Sequence, residues 1–446
     1  MTWRQWRWVV LWAANVVIIF AVWATINLAK IGTDYTQTLL ALSRLGALYA
    51  GFTLLVQLWL IGRPRQLEDD FGLDRLTRIH RWNGFAAVLL VLVHVPTILA
   101  AYAPVYNVAI PLVLPILMRN LEDITKAFLA ELLLFVVAAS SLVIARRRLK
   151  YQWWYYIHLA TYLVIALAVG HQFSNGRELI TLPWFRAYWL LLYLVTALMI
   201  AYYRFFLPFW KWHRHQFRVA RVVEEVSGFT SLYLRGRDLQ NFRYTAGQFA
   251  KYWFVARGFW AEEHPFTISI EPNSQELRIT YKNLGDFTAK LAQIPEGTPV
   301  VVDGPYGRFT LDRATQKRLV FIAGGIGITP MRAMIGELAR QNDKREVWLF
   351  YSVRDAKELA LKGELERLAR ELNLTIRYVI TEGKLKGAIQ EMLTADILER
   401  ELGKLTKADF YICGPPAMMN ALRSQLKAKR VPSEFVHYEQ FSLVKS

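Results

Sequence analysis

Six long apolar runs, all before residue 211, constrain this chain of 446 residues more than any other feature. Each is about 20 residues, the length a helix needs to cross a hydrocarbon layer roughly 30 Å thick. The pattern predicts spans over 8–29, 39–62, 78–101, 125–145, 153–172 and 186–210. The first run, Trp8 to Leu28, is longer than the apolar part of a secretory signal and reads as a span. Basic residues set the orientation. Arg4, Arg7, Arg63, Arg65, Arg75, Arg78, Arg81, Arg146, Arg147, Arg148 and Lys150 flank the runs on one side, and Lys30, Arg119, Lys126, Arg177 and Arg186 on the other. The richer side is expected in the cytoplasm, with both termini. Trp3, Trp6, Trp8, Trp153, Trp154, Trp184, Trp210 and Trp212 cluster at span ends, as interfacial aromatics do. The formal charge of +18 is thereby largely topology signal, and nucleic acid is not an expected partner. Segment 103–118, with Pro104, Pro111 and Pro115, reads as an outer-face loop or re-entrant segment. A single cysteine, Cys413, excludes an intrachain disulfide framework and a cysteine metal site.

Four of the eight histidines fall inside these spans, His80 and His94 in the third and His158 and His171 in the fifth. Ionisable groups within a bilayer are costly and mark function by default. A gap of 14 residues rises about 21 Å along a helix and returns to within roughly 40° of its starting face. His80 and His158 therefore belong near the cytoplasmic side, and His94 and His171 near the outer side. Two facing helices that offer histidine pairs at two depths suit bis-imidazole ligation of two haem irons. Zinc fits worse, because its sites use three or four protein ligands. The gap from His158 to His171 is 13, which turns an ideal helix about 140° away. Gly170 is the expected point of local distortion.

After Trp212 the pattern changes. Residues 216–312 alternate apolar and polar in short runs broken by glycine and proline, and include FRYTAGQFAKYWF (242–254) and EHPFTISI (263–270). They predict a small antiparallel β-barrel. From 318 strands alternate with helices: RLVFIAGGIGITPMRAMIGELAR (318–340), VWLFYSV (347–353), TIRYVIT (375–381) and DFYICGPPAMMNALRSQL (409–426). That alternation predicts a parallel α/β sheet with its ligand at the carboxyl ends of the strands. Gly324, Gly325 and Gly327 would let backbone amides approach a pyrophosphate at the next helix start. Three domains are expected, over 1–212, 213–314 and 315–446.

In this order the motifs resemble the NADPH oxidase and membrane ferric reductase family, close to its single-chain bacterial oxidases. They are the histidine pairs, His264-Pro265-Phe266-Thr267-Ile268-Ser269, Lys282-Asn283-Leu284-Gly285-Asp286-Phe287-Thr288, Asp303-Gly304-Pro305-Tyr306-Gly307, Gly324 to Pro330, and Cys413-Gly414-Pro415-Pro416. The resemblance implies a six-helix di-haem bundle fused to a ferredoxin-NADP reductase-like module. It implies FAD in the barrel, with His264 to Ser269 along the isoalloxazine and ribityl chain, Thr267 near the reactive flavin nitrogen, and Lys282 and Thr288 near the phosphates. Gly324, Gly325, Gly327, Thr329 and Pro330 with Cys413, Gly414 and Pro415 would hold the nicotinamide cofactor. Phe441 resembles the terminal aromatic that covers the flavin. Arg44 matches an arginine near the outer haem, or is a snorkelling interface residue. Ile98 stands where some eukaryotic relatives carry a further histidine.

The expected activity takes electrons from NADPH through FAD and two haems b to oxygen outside, giving superoxide. A ferric chelate or a periplasmic protein partner are the alternative acceptors, and no obligate protein partner is evident. Ser352 and Arg354, at the end of the second α/β strand, suit the 2′-phosphate of NADPH better than an acidic residue would, with NADH still usable.

Overall fold

The computed structural model describes residues 2–142, 148–149, 151–259 and 263–439, and divides into two compact units, the first ending at Phe205 and the second beginning at Phe206. Arg146, Arg147, Lys150 and Phe441 lie outside the described residues.

The first unit is helical. Its elements are α1 (Trp3–Asn27), α2 (Tyr35–Ile61), α3 (Arg65–Phe71), α4 (Leu73–Tyr106), α5 (Ile110–Asn120), α6 (Ile124–Ser141), α7 (Tyr151–Leu159), α8 (Thr161–Asn175), α9 (Arg177–Thr181) and α10 (Pro183–Ile200). Among the described residues six helices are long and apolar enough to cross a membrane. Small residues line the inward face of α2. Ala41, Ser43, Gly46, Ala50 and Gly51 are buried on α2, while Leu11, Phe20, Leu89, Leu92, Leu191 and Leu198 face outward. A side chain at Gly51 would stand 3.1 Å from the Trp189 ring and 3.2 Å from Gln172 Oε1. Such small-residue seams let helices approach where lipid supplies no hydrophobic drive.

Two expectations change here. Segment 103–118 is helical rather than a loop. α4 runs through Pro104 to Tyr106, turns at Asn107 in the left-handed region (φ 53°), and α5 follows at once with Pro111 in its first turn, where a missing N–H costs nothing. The irregularity between His158 and His171 lies at Ala160, not Gly170. Ala160 N–H bonds the Ile157 carbonyl at 3.1 Å, an i→i−3 closure between α7 and α8. Tightening of that kind winds the chain further per residue. The hydroxyl of Thr161 also donates to the His158 carbonyl. Gly170 has another purpose, because a Cβ there would collide with the Asp123 carboxylate.

In the second unit α11 (Leu207–His215) leads into six antiparallel strands, β1 (Arg218–Val226), β2 (Phe229–Arg235), β3 (Phe249–Phe254), β4 (His264–Thr267), β5 (Leu277–Lys282) and β6 (Val300–Tyr306). They form two sheets, β1-β2-β5 and β4-β3-β6, joined by bridges at Ile268–Ile279 and Arg218–Pro299. Phe229, Leu232, Phe254, Leu277, Ile279 and Val300 are completely buried. The barrel expectation holds, and a short helix, α12 (Asp286–Leu291), lies between β5 and β6.

The α/β part has β7 (Arg318–Gly324), α13 (Ile328–Arg340), β8 (Glu346–Val353), α14 (Lys362–Glu371), β9 (Leu374–Ile380), α15 (Ala395–Leu402), β10 (Ala408–Cys413), α16 (Pro416–Ala428) and β11 (Val436–Tyr438). Its five strands are parallel in the order β11-β10-β7-β8-β9. From β7 the chain winds one way to β9, then β10 returns on the other side of β7. The switch point therefore lies between β7 and β10, where a crevice opens at the carboxyl ends of the strands. The three-residue edge strand β11 has no sequence signal of its own.

Candidate functional site

In the first unit the structure gathers the four histidines. The rings of His80 on α4 and His158 on α7 have centroids 6.0 Å apart with planes at 63°. An imidazole nitrogen binds a first-row metal at about 2 Å, so two rings on opposite sides of one atom have centres roughly 6 Å apart. The observed spacing suits that arrangement. His158 stacks on Trp154 at 5.1 Å, and its Nδ1 lies 3.3 Å from Ser141 Oγ. His94 and His171 border one cavity, together with Arg44, Gly51, Val91, Ile98, Glu131 and Glu178. His94 Nδ1 lies 3.0 Å from the Ser43 carbonyl and 2.8 Å from Ser43 Oγ. A bond to the carbonyl puts the proton on Nδ1 and leaves Nε2 as a ligating atom, the orientation seen in metal-bound histidines. Nδ1 of His80 and of His171 is buried. Among the described residues no cluster of three or more His, Cys, Asp or Glu is arranged for a metal ion. A donor set of paired imidazoles suits haem iron and not zinc.

Arg44 faces inward. Its Nη1 donates to Asn27 Oδ1 at 3.2 Å, and Asn27 Nδ2 donates to Glu178 Oε1 at 2.6 Å. Asn27 and Glu178 are buried, so the arginine is held from behind rather than reaching to the interface. Glu131 escaped the sequence reading. Ile124, Ala127, Phe128, Glu131 and Leu134 form the stripe of α6 that lines the cavity, and an intramembrane carboxylate on such a stripe was the available signal.

In the barrel, the ring of His264 stacks on Phe287 with centroids 3.6 Å apart, and Phe266 lies 6.4 Å from His264. Pro265 pairs with Lys251 in the β3–β4 ladder, and Thr267 with Phe249. Thr267 is buried. Ser269 is fully buried, and its Oγ joins a hydroxyl chain with Thr280 (2.9 Å) and Ser231 (2.8 Å). Lys282 Nζ meets Glu358 Oε2 at 3.0 Å. Thr288 Oγ accepts from the Leu284 and Gly285 amides at 3.0 and 3.2 Å, so it closes the first turn of α12.

At the switch point the two glycine turns meet. A Cβ at Gly324 would stand 2.7 Å from Pro415, and one at Gly327 would collide with the Cys413 carbonyl. One at Gly414 would stand 2.9 Å from Gly324 itself. Gly325 takes φ 54°, a region that other residues avoid. Thr329 and Pro330 are buried in the first turn of α13, and Thr329 donates to the Ile326 carbonyl at 3.0 Å. Cys413 is fully buried and its thiol pKa is pushed well up by burial, so it packs rather than reacts. Ser352 sits in register beside Gly324. Arg354 is 75% exposed and lies 3.7 Å from Glu382.

Three family models match the chain in succession. Residues 46–169 match the ferric reductase like transmembrane component, 216–310 an FAD-binding domain, and 321–424 the oxidoreductase NAD-binding domain. The chain has the architecture of the NADPH oxidase/ferric reductase family. Among curated relatives, the flavohemoprotein of Bacillus subtilis (strain 168) is 27% identical over 245 residues, 52% of this chain and 60% of the relative. The reductase component of propane 2-monooxygenase from Mycolicibacterium goodii is 28% identical over 235 residues, 50% of this chain and 66% of the relative. The chain thus spans less than two thirds of each of these relatives. The solved flavohem-like FAD/NAD-binding domain of nitric oxide dioxygenase from Vibrio cholerae O1 biovar El Tor is 26% identical, with 51% of this chain and 98% of that one covered at a TM-score of 0.45. The family architecture places a membrane protein's apolar helices before its FAD- and NAD-binding domains, the order found here.

Proposed function

We propose that this protein carries electrons from NADPH through FAD and two haems b across the membrane to oxygen, releasing superoxide outside. The observation that carries the reading is the double histidine pairing, His80 with His158 and His94 with His171, in a bundle followed by FAD- and NAD-binding domains. FAD supplies hydride acceptance and one-electron release, and haem supplies one-electron transfer. Within the chain, the turns at 324–327 and 413–416 present amides at two helix starts to a pyrophosphate. Thr267 would border the flavin in this reading. His80 with His158 and His94 with His171 would hold the two haem irons, and Arg44, on the wall of the cavity that His94 and His171 border, would attract a negatively charged reduction product. Positive-inside counting puts the dehydrogenase module in the cytoplasm. A ferric chelate is the second reading, favoured by the ferric reductase type of the membrane domain.

Purified full-length protein given NADPH in air should reduce cytochrome c in a reaction that superoxide dismutase abolishes. Dismutase-insensitive reduction, together with faster turnover on a ferric chelate than on oxygen, would replace the oxidase reading by the reductase.

A further inference from the structure

Four charged side chains form a linear chain inside the second unit, with both arginines buried and both glutamates partly exposed. Arg278 on β5 is 1% exposed, and its Nη1 meets Glu364 Oε1 at 2.6 Å. The other oxygen of Glu364 accepts from Arg332 Nε at 2.7 Å. Arg332, on α13 and 4% exposed, also pairs through Nη1 with Glu271. A Cβ at Gly336, one turn beyond Arg332, would collide with the Glu271 carboxylate, so glycine is what admits it. Burial raises the Glu364 pKa, but Arg278 and Arg332 more than offset this and hold it below its ordinary value.

Glu271 and Arg278 belong to the FAD-binding domain, and Arg332 and Glu364 to the NAD-binding domain. Each end of the network leads to a site element. Arg278 Nη2 donates to the Ser269 carbonyl at 2.6 Å, at the close of the His264–Ser269 segment. Arg332 rises from the first turns of α13, directly after the glycine turn. Buried ion networks cost desolvation that apolar packing would avoid, so they contribute little as stabilisers; their attested use is to fix one arrangement. Hydride transfer needs such an arrangement, because reacting atoms must lie about 3–3.5 Å apart and a 1 Å error costs roughly 10²-fold.

We propose that Arg332 and Glu364, with Arg278 and Glu271, are positioning residues that lock the flavin strand to the dinucleotide helix at hydride-transfer distance. The inference rests on the reading of 264–269 as the flavin segment and 324–330 as the dinucleotide turn. In the step they serve, one proton and two electrons leave the dihydronicotinamide together as hydride. The nicotinamide is oxidised, the flavin nitrogen is reduced by the same pair, and no further reductant enters.

Anaerobic stopped-flow on the full-length, FAD-loaded protein tests it. In Glu364→Gln and Arg332→Met the limiting rate of flavin reduction by NADPH should fall about 10-fold or more. FAD content and the Kd for NADPH should stay within about twofold of wild type, and the long-wavelength charge-transfer absorbance should weaken. Glu271→Gln, at the more exposed end, is the mild variant if the others do not fold, and it should show the same split. A limiting rate that is unchanged, or that falls only in step with lost FAD, overturns the proposal. If wild type binds NADPH without reducing its flavin, the site reading fails instead.

Discussion

In the first unit small side chains line the seams of α2 beside a few buried aromatics such as Trp23, Phe185 and Trp189, and many large apolar residues face out; in the second unit large apolar side chains face in and fill the core. Ala41, Gly46, Ala50 and Gly51 fill the seams of α2, whereas Phe229, Tyr252, Phe254, Phe321, Phe350 and Tyr411 fill the core of the other unit. The solvent explains the difference. Water drives large apolar groups inward in one unit, and lipid gives no such drive in the other. Polar residues do not follow the contrast. In both units they join in networks whose members are far apart in sequence, Arg44 with Asn27 and Glu178 in the first and Arg278, Glu364, Arg332 and Glu271 in the second.

If that contrast is right, removing one histidine should disable the membrane unit and leave the other intact. Replacing His171 by Ala should lower the pyridine haemochrome count from two haems to one and cut electron delivery to the acceptor at least ~10³-fold, consistent with loss of a cofactor that carries the chemistry. Flavin reduction by NADPH should continue at the wild-type rate. Retention of two haems, or a count of one in the unmodified protein, would remove the pairing.

Packing should dominate in the second unit. Gly327→Ala, whose methyl would run into the Cys413 carbonyl, should cost about 3 kcal/mol or more in chemical denaturation. Gly363→Ala has open space and should be neutral or stabilising by roughly 0.5–1 kcal/mol, because it removes a helix glycine. Equal costs at both glycines would break the packing half of the comparison.

A middle-sized effect is expected at Asp409, which is fully buried and accepts from the Thr315 and Gln316 amides at 2.7 and 2.6 Å and meets His437 Nε2 at 3.0 Å. Burial raises its pKa, but these bonds win and hold it below the ordinary carboxylate value. A depressed folded-state pKa adds stability that is present above the unfolded value, about 4, and is lost as pH falls through the folded value. Asp409→Asn should therefore cost about 2 kcal/mol at neutral pH, with the gap closing on acidification below about pH 4. A gap that does not change with pH would assign the cost to geometry rather than charge.

The smallest effect belongs to Arg354. Its 3.7 Å contact with Glu382 joins two well-exposed groups, so Arg354→Ala should leave the melting curve within about 0.5 kcal/mol of wild type. The kcat/KM for NADPH should fall several-fold while that for NADH is unchanged. Equal falls would mean that Arg354 does not read the phosphate.

Legibility follows the same division. The six spans and the histidine pairs stand out because any ionisable residue in an apolar run is conspicuous, and the 14-residue gap on α4 translates directly into depth. Helix α5 was illegible because prolines at 104, 111 and 115 imitate a loop, although Pro111 occupies a first-turn position where proline is at home. Ala160 carries no local mark; the kink beside it depends on how α7 and α8 close. In the second unit the glycine motifs announced two turns, but not that Gly324 and Gly327 lie against Pro415 and Cys413. Arg278, Glu271, Arg332 and Glu364 were invisible among the 54 basic and 36 acidic residues of the chain.

By itself the sequence determined which segments are long and apolar enough to cross a membrane, which histidines fall within them, and the strand–helix alternation of the last third. Those properties are local, set by length, periodicity and the cost of a polar group in an apolar run. The tertiary structure alone decided that β10 returns beside β7, that the flavin and dinucleotide domains are tied by buried charges, and that Arg44 is braced from behind by Asn27 and Glu178. Each of these joins residues distant in the chain, and their pairing is settled by which surfaces pack, a choice that no single segment contains.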